Sequence, residues 1–270
     1  MTIANHFQRD KPVDIRELCV SLRTNRGPAT PRLCPPRVLF LSGAGISAES
    51  GIGTFRDSGG LWETYNVMEV CSAEAFRKNR AFVLGFYDKR RADLADKVPN
   101  AAHTMIAELE REFGDRICNI TQNIDDLFEK AGCRSVIHLH GELTKARCES
   151  CGTLWSVGYG QIIGNEQCPR CAMSKTRHHV VMFHESAPEY ARLYEELARV
   201  AKSDGMLVVI GTSGIVLPVE DFARAVPRSV LNNLEPQDSI RGDFFDRVFY
   251  EPAGSAAPKI QALVKEFLQS

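Results

Sequence analysis

The segment RVLFLSGAGISA, residues 37–48, decides the class of fold that this sequence predicts. Its apolar run has the length and residue types of a buried strand, and the two glycines after Ser42 permit a tight turn. Comparable apolar runs recur along the chain, at 117–120, 136–139, 206–210 and 230–231. Helical spacing separates several of them, at 101–113, 124–130 and 190–200. Buried strands alternating with helices predict an α/β fold with a parallel sheet covered on both faces.

The composition is that of an ordinary soluble protein. The chain has 270 residues, of which 44% are hydrophobic, and 33 Lys and Arg balance 34 Asp and Glu. This balance gives no electrostatic case for a nucleic-acid or membrane-surface partner. The longest aliphatic run, 206–210, is far shorter than the ~20 residues that span a bilayer. The N-terminus lacks the apolar core of an export signal, so we expect a cytoplasmic protein.

Two insertions interrupt the alternation of strands and helices. Residues 61–100 carry charged helical patterns at 73–80 and 82–96, and residues 145–178 hold four cysteines with little apolar content. We therefore expect a large α/β domain made from 37–62, 101–144 and 179–270. A small discontinuous domain would combine 63–100 with 145–178. Residues 1–36 form an extension in which 13–22 has a helical pattern.

The cysteines of the second insertion predict a metal site. Cys148, Cys151, Cys168 and Cys171 form two C-x-x-C pairs that are 16 residues apart. Four thiolates at this spacing bind Zn²⁺ tetrahedrally and leave no open position, so we expect one structural zinc ion. A redox C-x-x-C is the alternative. The cysteines elsewhere in the chain are scattered, and nothing in the sequence distinguishes them from small buried residues.

Polar or glycine-rich segments follow the predicted strands. They are GAGISA at 43–48, TQNID at 121–125, HLHGE at 138–142, GTSG at 211–214 and NNLEP at 232–236. Open α/β sheets bind ligands at the carboxyl ends of their strands, and glycines allow backbone N–H groups to approach a phosphate there. Each segment also has a structural interpretation, as a tight turn, a helix cap or a turn before proline.

Two further features sharpen this prediction of a ligand-binding edge. His140 lies at a strand end and suits a general base, whereas His138 suits a structural role. The segment GIGTFRDSGGLW, residues 51–62, has the composition of a mobile loop that covers a ligand, although a long surface loop would also have it.

Together these blocks resemble the sirtuin family, and the resemblance extends from Val38 to the C-terminus. The carrying motifs are GAGISAESGIGTFR, TQNID, HLHGEL, the paired cysteines, GTS and NLEP, in family order. The resemblance implies a Rossmann-like domain that binds NAD and a small helical and zinc-ribbon domain. It places NAD against Gly43, Ala44, Gly45, Ile46, Ala48, Glu49, Thr54, Phe55, Arg56, Trp62, Gln122, Asn123, Ile124, Asp125, Gly211, Thr212, Ser213, Asn233, Leu234, Glu235 and Ala253.

The resemblance also implies an NAD-dependent protein-lysine deacylase. The acyl-lysine oxygen would attack C1′ of the ribose and expel nicotinamide, with His140, Asn123 and Asp125 as catalytic residues. His140 would then take a proton from the ribose hydroxyls, and the products would be free lysine and O-acyl-ADP-ribose. A mono-ADP-ribosyltransferase and a non-catalytic NAD or ADP-ribose sensor remain alternatives on the same scaffold.

Tyr87 and Arg90 narrow the expected substrate. They lie three apart on a predicted helix, and the class III sirtuins, the desuccinylases and demalonylases, carry such a pair in the acyl pocket. A guanidinium and a phenol suit a malonyl or succinyl carboxylate, although a solvated basic face, 89–91, is the alternative.

Two segments depart from the family pattern. Val181 and Phe183 belong to the segment that would dock the peptide as an added strand. His184 stands where the family has glycine, and Gly53 stands where it has proline.

Overall fold

The computed structural model describes residues 37–53 and 67–270. Within these ranges the strands are β1 (Val38–Ser42), β2 (Ile117–Thr121), β3 (Val136–His138), β4 (Gly141–Cys148), β5 (Leu154–Ser156), β6 (Thr176–Val180), β7 (Met206–Ile210), β8 (Arg228–Asn233) and β9 (Arg247–Tyr250). The α-helices are α1 (Val67–Val70), α2 (Ala73–Lys78), α3 (Arg80–Asp93), α4 (Ala101–Phe113), α5 (Leu127–Ala131), α6 (Tyr190–Lys202), α7 (Val219–Ala225) and α8 (Ala253–Gln269). Short 3₁₀ helices span Ala44–Ser50, Gly114–Arg116 and Gly242–Phe244.

A six-stranded sheet in the order β3-β2-β1-β7-β8-β9 forms the centre of the fold, and its pairs are all parallel. Alternate residues of β1 point to opposite faces. Val38 and Phe40 pack with α4 and α8, and Leu39 and Leu41 pack with α6 and α7. Burying each such side chain contributes roughly 1.5–3 kcal/mol. The predicted α/β fold with a doubly covered parallel sheet is confirmed.

The chain reverses its direction across the sheet between β1 and β7. From β1 it moves outward through β2 to β3, and it later returns to β7 on the other side of β1. The connections that follow β1 and β7 therefore lead to opposite sides of the sheet, and open α/β sheets bind ligands at such a point, outside the carboxyl ends of the strands. Segments 43–50, 121–126 and 211–214 all meet at this edge.

A smaller module lies beside the sheet. Its antiparallel sheet has the order β5-β4-β6, and it shares an apolar cluster with α3 through Tyr87, Leu143 and Val180. Polar side chains of α3 reinforce the contact. The carboxylate of Asp88 accepts hydrogen bonds from the N–H groups of Ile162 and Ile163 at 2.8 and 3.0 Å.

Arg91 corrects the interpretation of residues 89–91 as a solvated basic face. Its side chain is completely buried. The guanidinium donates to three backbone carbonyls, those of Leu143 at 2.5 Å, Gly160 at 2.8 Å and Lys145 at 3.0 Å. Three acceptors satisfy a buried guanidinium, so this arginine fastens helix α3 to the small module.

Several elements were not predicted from the sequence. Strand β9 and helix α8 lie in the C-terminal part, and strands β4 to β6 lie around the cysteine insertion. Helix α5 begins at Leu127 instead of residue 124, since the Asp125 carboxylate accepts from the Leu127 N–H at 3.2 Å and holds the preceding residues in a turn. In the part of the chain that the structure describes, no helix is long and apolar enough to cross a membrane.

Candidate functional site

Three glycines join the loops after β1 and β7. Gly43 N–H donates to Ile210 O at 3.0 Å, and Gly45 N–H donates to Gly211 O at 2.8 Å. A Cβ on Gly45 would lie 2.8 Å from Gly211 Cα, and one on Gly211, where φ is +64°, would lie 2.3 Å from Ile46 N. Glycine is thus required for the two backbones to touch. The N–H groups of Gly43 and Gly45 therefore already donate to backbone carbonyls of the protein. Contact of this loop with a phosphate stays a prediction.

The other predicted cofactor residues of this loop lie in the 3₁₀ helix. The side chain of Ile46 is fully buried in the core, so it offers a ligand only its backbone. Ala44, Ala48 and Glu49 lie on the same short helix. A Glu49 carboxylate oxygen accepts from Gly254 N–H at 2.6 Å, next to Ala253 at the start of α8. This contact caps the helix with a negative charge. Thr54, Phe55, Arg56 and Trp62 lie outside the described residues.

Ser47 connects this loop to the segment after β2. Its hydroxyl donates to Asp125 Oδ2 at 3.0 Å and accepts from Asn123 Nδ2 at 3.0 Å. His103 Nε2 lies 3.4 Å from Ser47 Oγ, and His103 Nδ1 accepts from the N–H of Asn100 at 3.3 Å. The arrangement is a directed chain that ends on the Asp125 carboxylate.

Burial shifts the pKa values of the two titratable groups in this hydrogen-bond network, His103 and Asp125. Burial lowers the pKa of His103 to about 4, so its imidazole is neutral at pH 7. Burial raises the pKa of Asp125, while the hydrogen bonds from Leu127 and Ser47 act in the opposite direction. A carboxylate held in this way at a sheet edge has the environment of a functional group.

His140 lies at the same edge with a defined tautomer. Its Nδ1–H donates to the Gln122 carbonyl at 2.8 Å, so Nε2 carries the lone pair and accepts from the Tyr190 hydroxyl at 3.0 Å. Burial lowers the pKa of His140 to about 4. The neutral ring has the form that a general base needs.

His138 has the structural role that the sequence predicts. Its two ring nitrogens lie 2.9 Å from the Asn123 carbonyl and 3.0 Å from Glu129 Oε1. These contacts fix the loop that carries Asn123.

The loops after β7 and β8 are held together side by side. Asn233 Oδ1 accepts from Thr212 N–H, and Asn233 Nδ2 donates to Thr212 O, both at 3.0 Å. Gln122 Nε2 reaches Thr212 Oγ1 at 3.2 Å and so links these loops to the β2 side. Leu234 follows Asn233 with its side chain 70% exposed, and its contact with NAD stays a prediction.

Tyr87 lies in the apolar cluster of the small module. It is buried, and its hydroxyl donates to Cys71 Sγ at 3.3 Å. The Arg90 guanidinium lies 5.8 Å from the centre of the Phe86 ring. The helix therefore carries the predicted pair on neighbouring turns, with Cys71 against the phenol.

The predicted peptide segment begins next to His140. Val181 N–H donates to His140 O at 2.9 Å, and Phe183 N–H donates to Cys71 O at 2.8 Å. His184 has φ +69°, in the left-handed region that favours glycine. His184 thus has a backbone conformation that glycine adopts more readily.

The four cysteines of the small module come together as predicted. The Sγ atoms of Cys148 and Cys171 are 3.6 Å apart, those of Cys151 and Cys168 are 3.7 Å apart, and all four lie within 4.8 Å of one another. Tetrahedral Zn–S bonds of about 2.3 Å require S–S distances near ~3.8 Å. The two C-x-x-C turns have matching contacts. Ser150 N–H donates to Cys148 Sγ and Arg170 N–H donates to Cys168 Sγ, both at 3.4 Å. The donor set and its spacing fit one structural zinc ion.

Sequence reasoning missed Ser47, Asn100, His103 and Tyr190 as parts of the site. Ser47 stands within the glycine-rich block, so its position was a usable signal. The others lie on helices α4 and α6 or beside them, and only the packing of the fold brings them to the edge.

Comparisons with known proteins agree with this geometry. The family model described as Sir2 family matches residues 43–218. The NAD-dependent protein deacylase of Campylobacter jejuni (strain RM1221) is 47% identical over 232 residues, which cover 86% of this chain and 97% of that protein. The NAD-dependent protein deacylase SIR2rp3 of Trypanosoma brucei brucei is 44% identical, over 82% of this chain and 91% of that protein.

Solved structures show the same fold. The crystal structure of a Sir2 homolog–NAD complex superposes with a TM-score of 0.74 at 32% identity, over 97% of this chain and 98% of that chain. A mutant Sir2 homologue in complex with ADP ribose gives a TM-score of 0.74 at 35% identity, over 86% of this chain and 93% of that chain. The chain therefore belongs to the Sir2 family.

Proposed function

We propose that this protein is an NAD-dependent protein-lysine deacylase that releases nicotinamide and O-acyl-ADP-ribose. The observation that carries the proposal is the neutral imidazole of His140 at the same sheet edge as Asn123 and Asp125. The relatives from Campylobacter jejuni and Trypanosoma brucei brucei are NAD-dependent protein deacylases, which supports the same activity. The acylated lysines of other proteins are the substrate class.

The donor groups at the edge fit NAD. The loops after β2, β7 and β8 carry polar side chains, namely the amide of Gln122, the hydroxyl of Thr212 and the amide of Asn233. Such groups can form hydrogen bonds with ribose hydroxyls. NAD would supply a ribose carbon, C1′, whose bond to nicotinamide breaks as a bond to the acyl oxygen forms, with nicotinamide as the leaving group. Asn123 and Asp125, fixed by Ser47, orient the reacting end of that ligand.

His140 acts as the general base of the reaction. Its Nδ1–H is held by the Gln122 carbonyl, so Nε2 is the atom that takes the proton from a ribose hydroxyl. Val181 donates to the carbonyl of His140, so a peptide that pairs with the segment from Val181 to Phe183 lies next to the base.

A peptide assay tests the activity. Wild-type protein should remove an acyl group from a lysine peptide with NAD and not without it, and His140→Ala should reduce the rate at least ~100-fold. His179→Ala is the matched control, since His179 is a half-buried imidazole on β6 without a part in the proposed mechanism. An unchanged rate in His140→Ala would contradict the assigned base.

We further propose that the acyl group carries a carboxylate, as malonyl and succinyl groups do. Arg90 pairs bidentately with such a carboxylate, and the buried Tyr87 phenol adds a directed donor when its O–H turns from Cys71 Sγ to the carboxylate. Arg90→Met should reduce desuccinylation at least ~10-fold more than deacetylation. Lys89→Met is the control, because Lys89 is the exposed neighbour on the same helix. Equal losses with both peptides would rule out the carboxylate pocket.

A mono-ADP-ribosyltransferase is the second candidate, because His184 stands in the segment that would dock the peptide. In that case NAD consumption would transfer ADP-ribose to a protein side chain and leave the acyl-lysine intact.

A further inference from the structure

The hydroxyl of Tyr190 lies against the ring nitrogen of His140 that the proposed reaction needs. Tyr190 is the first residue of α6, 50 residues away in the chain, and its Oη is 3.0 Å from Nε2. The two ring centres are 5.9 Å apart and the ring planes meet at 47°. The rings are therefore tilted against each other, and the two polar atoms lie at hydrogen-bond distance.

The tautomer gives this hydrogen bond a direction. Since Nδ1–H donates to the Gln122 carbonyl, Nε2 holds a single lone pair, and the phenol O–H donates to it. That lone pair cannot accept from the phenol and from a ligand hydroxyl at once. The phenol must release Nε2 before the base can act.

We propose that Tyr190 is a positioning residue that occupies Nε2 of His140 in the ligand-free protein and yields this place to the ribose hydroxyl. The proposal rests on the proposed function. The two hydrogen bonds hold the imidazole ring at both nitrogens, so the base is oriented before the ligand arrives. Exchanging one hydroxyl for another conserves the number of hydrogen bonds to the ring.

Among the described residues, Tyr190 supplies the side-chain hydrogen bond at this nitrogen. From the loop after β2 the ring meets the Gln122 carbonyl, while Asp125 interacts with Asp126 and with His138. From the segment after β6, Glu185 is paired with Arg177. Among the described residues, no charged side chain contributes to the lowered pKa of His140.

Tyr190→Phe tests the proposal, because its effect on the free protein should differ from its effect on the complex with the ligand. The acid limb of kcat/KM reports the free protein, and that of kcat reports the complex in which the phenol has already left. Loss of a hydrogen bond to the neutral ring should raise the pKa of His140, so the acid limb of kcat/KM should move to higher pH by about half to one unit. The acid limb of kcat should stay in place.

NMR titration of the His140 ring, assigned with His140→Ala, gives a readout that needs no activity. The same upward shift should appear in Tyr190→Phe without NAD or peptide. Tyr194→Phe is the matched control, because Tyr194 lies one turn further on α6 and packs against Phe222. It should leave the titration and both limbs unchanged.

The possible results separate the inference from the proposed function. An unchanged His140 titration in Tyr190→Phe, or an equal shift in Tyr194→Phe, overturns the inference. Equal movement of both acid limbs also overturns it, since the phenol would then stay on the ring during the reaction. A wild-type protein without deacylase activity refutes the proposed function, and the NMR titration still decides whether Tyr190 holds the ring.

Discussion

Ser47 and Asp125 lie 78 positions apart in the chain, and the Ser47 hydroxyl donates a hydrogen bond to the Asp125 carboxylate at 3.0 Å. The contact joins the loop after β1 to the loop after β2. It also brings the directed chain from Asn100 and His103 onto a buried carboxylate. The candidate site therefore depends on a polar network that lies beneath the ligand-binding edge.

Asp125→Asn should stabilise the protein and reduce its activity. Burial raises the pKa of Asp125, so the ionised form costs stability at neutral pH. An amide keeps the acceptor for Ser47 or Leu127 and removes the charge. We expect a gain of about 0.5–2 kcal/mol in the free energy of unfolding, the usual scale when one unfavourable functional residue is relieved.

The gain should depend on pH in a defined direction. A carboxyl whose pKa is raised on folding favours the native state below its unfolded pKa, ~3.9, and loses that contribution as the pH rises through the folded pKa. The advantage of Asp125→Asn should therefore vanish at acid pH and reach its full size above the folded pKa. Urea unfolding from pH 3.5 to 8 measures it, and a constant difference would contradict the raised pKa.

Zinc should be required for the small module to stay folded. Cys151→Ser removes one of the four sulfurs, and we expect loss of the bound zinc with a fall of more than about 4 kcal/mol in the free energy of unfolding. Elemental analysis and urea unfolding check the two effects. Cys118→Ser, outside the cluster, should keep its zinc. Full zinc content in Cys151→Ser would rule out the four-cysteine site.

Arg91→Met should destabilise the contact between α3 and the small module. The substitution leaves the carbonyls of Leu143, Lys145 and Gly160 without their donor, and each buried unpaired group costs about 1–3 kcal/mol. A loss of roughly 3–5 kcal/mol is expected in urea unfolding. The same change at the neighbouring residue, Arg90→Met, should stay within about 0.5 kcal/mol. Similar losses at both positions would show that the buried hydrogen bonds do not explain the effect.

His184→Gly should stabilise the protein by about 1 kcal/mol, because a residue with a Cβ pays roughly 1–2 kcal/mol in the left-handed region. Thermal unfolding measures the change. Ser186→Gly is the control, since Ser186 has no positive φ and glycine should there destabilise slightly. A lower Tm for His184→Gly would mean that the imidazole contributes contacts worth more than the strain.

The sequence predicted the parts of the fold that have a local signature. Five of the six strands of the parallel sheet carry apolar runs, and the cysteine pairs carry metal spacing. Strand β9 was not predicted because it is a four-residue edge strand with exposed ends, so its sequence pattern differs little from that of a loop. Strands β4 to β6 were not predicted because few of their residues are apolar, and the cysteine cluster and the buried Arg91 hold part of the module together.

The candidate site divides in the same way. His140, Asn123 and Asp125 follow strands directly, so their meeting at one edge was predictable from topology. His103 and Tyr190 reach the edge from helices, and nothing local in the sequence indicates which turn of a helix will face a given loop. The cytoplasmic location and the acyl preference rest on sequence features alone and stay predictions.

The proposed function requires that NAD is consumed whenever a lysine is freed. The most direct measurement is the ratio of nicotinamide released to lysine deacylated, with acetyl and succinyl versions of one peptide, together with the mass of the nucleotide product. We expect one nicotinamide per lysine, O-acyl-ADP-ribose as the product, and faster turnover of the succinyl peptide. Nicotinamide released while the acyl-lysine stays intact, or acyl loss that needs no NAD, would contradict it.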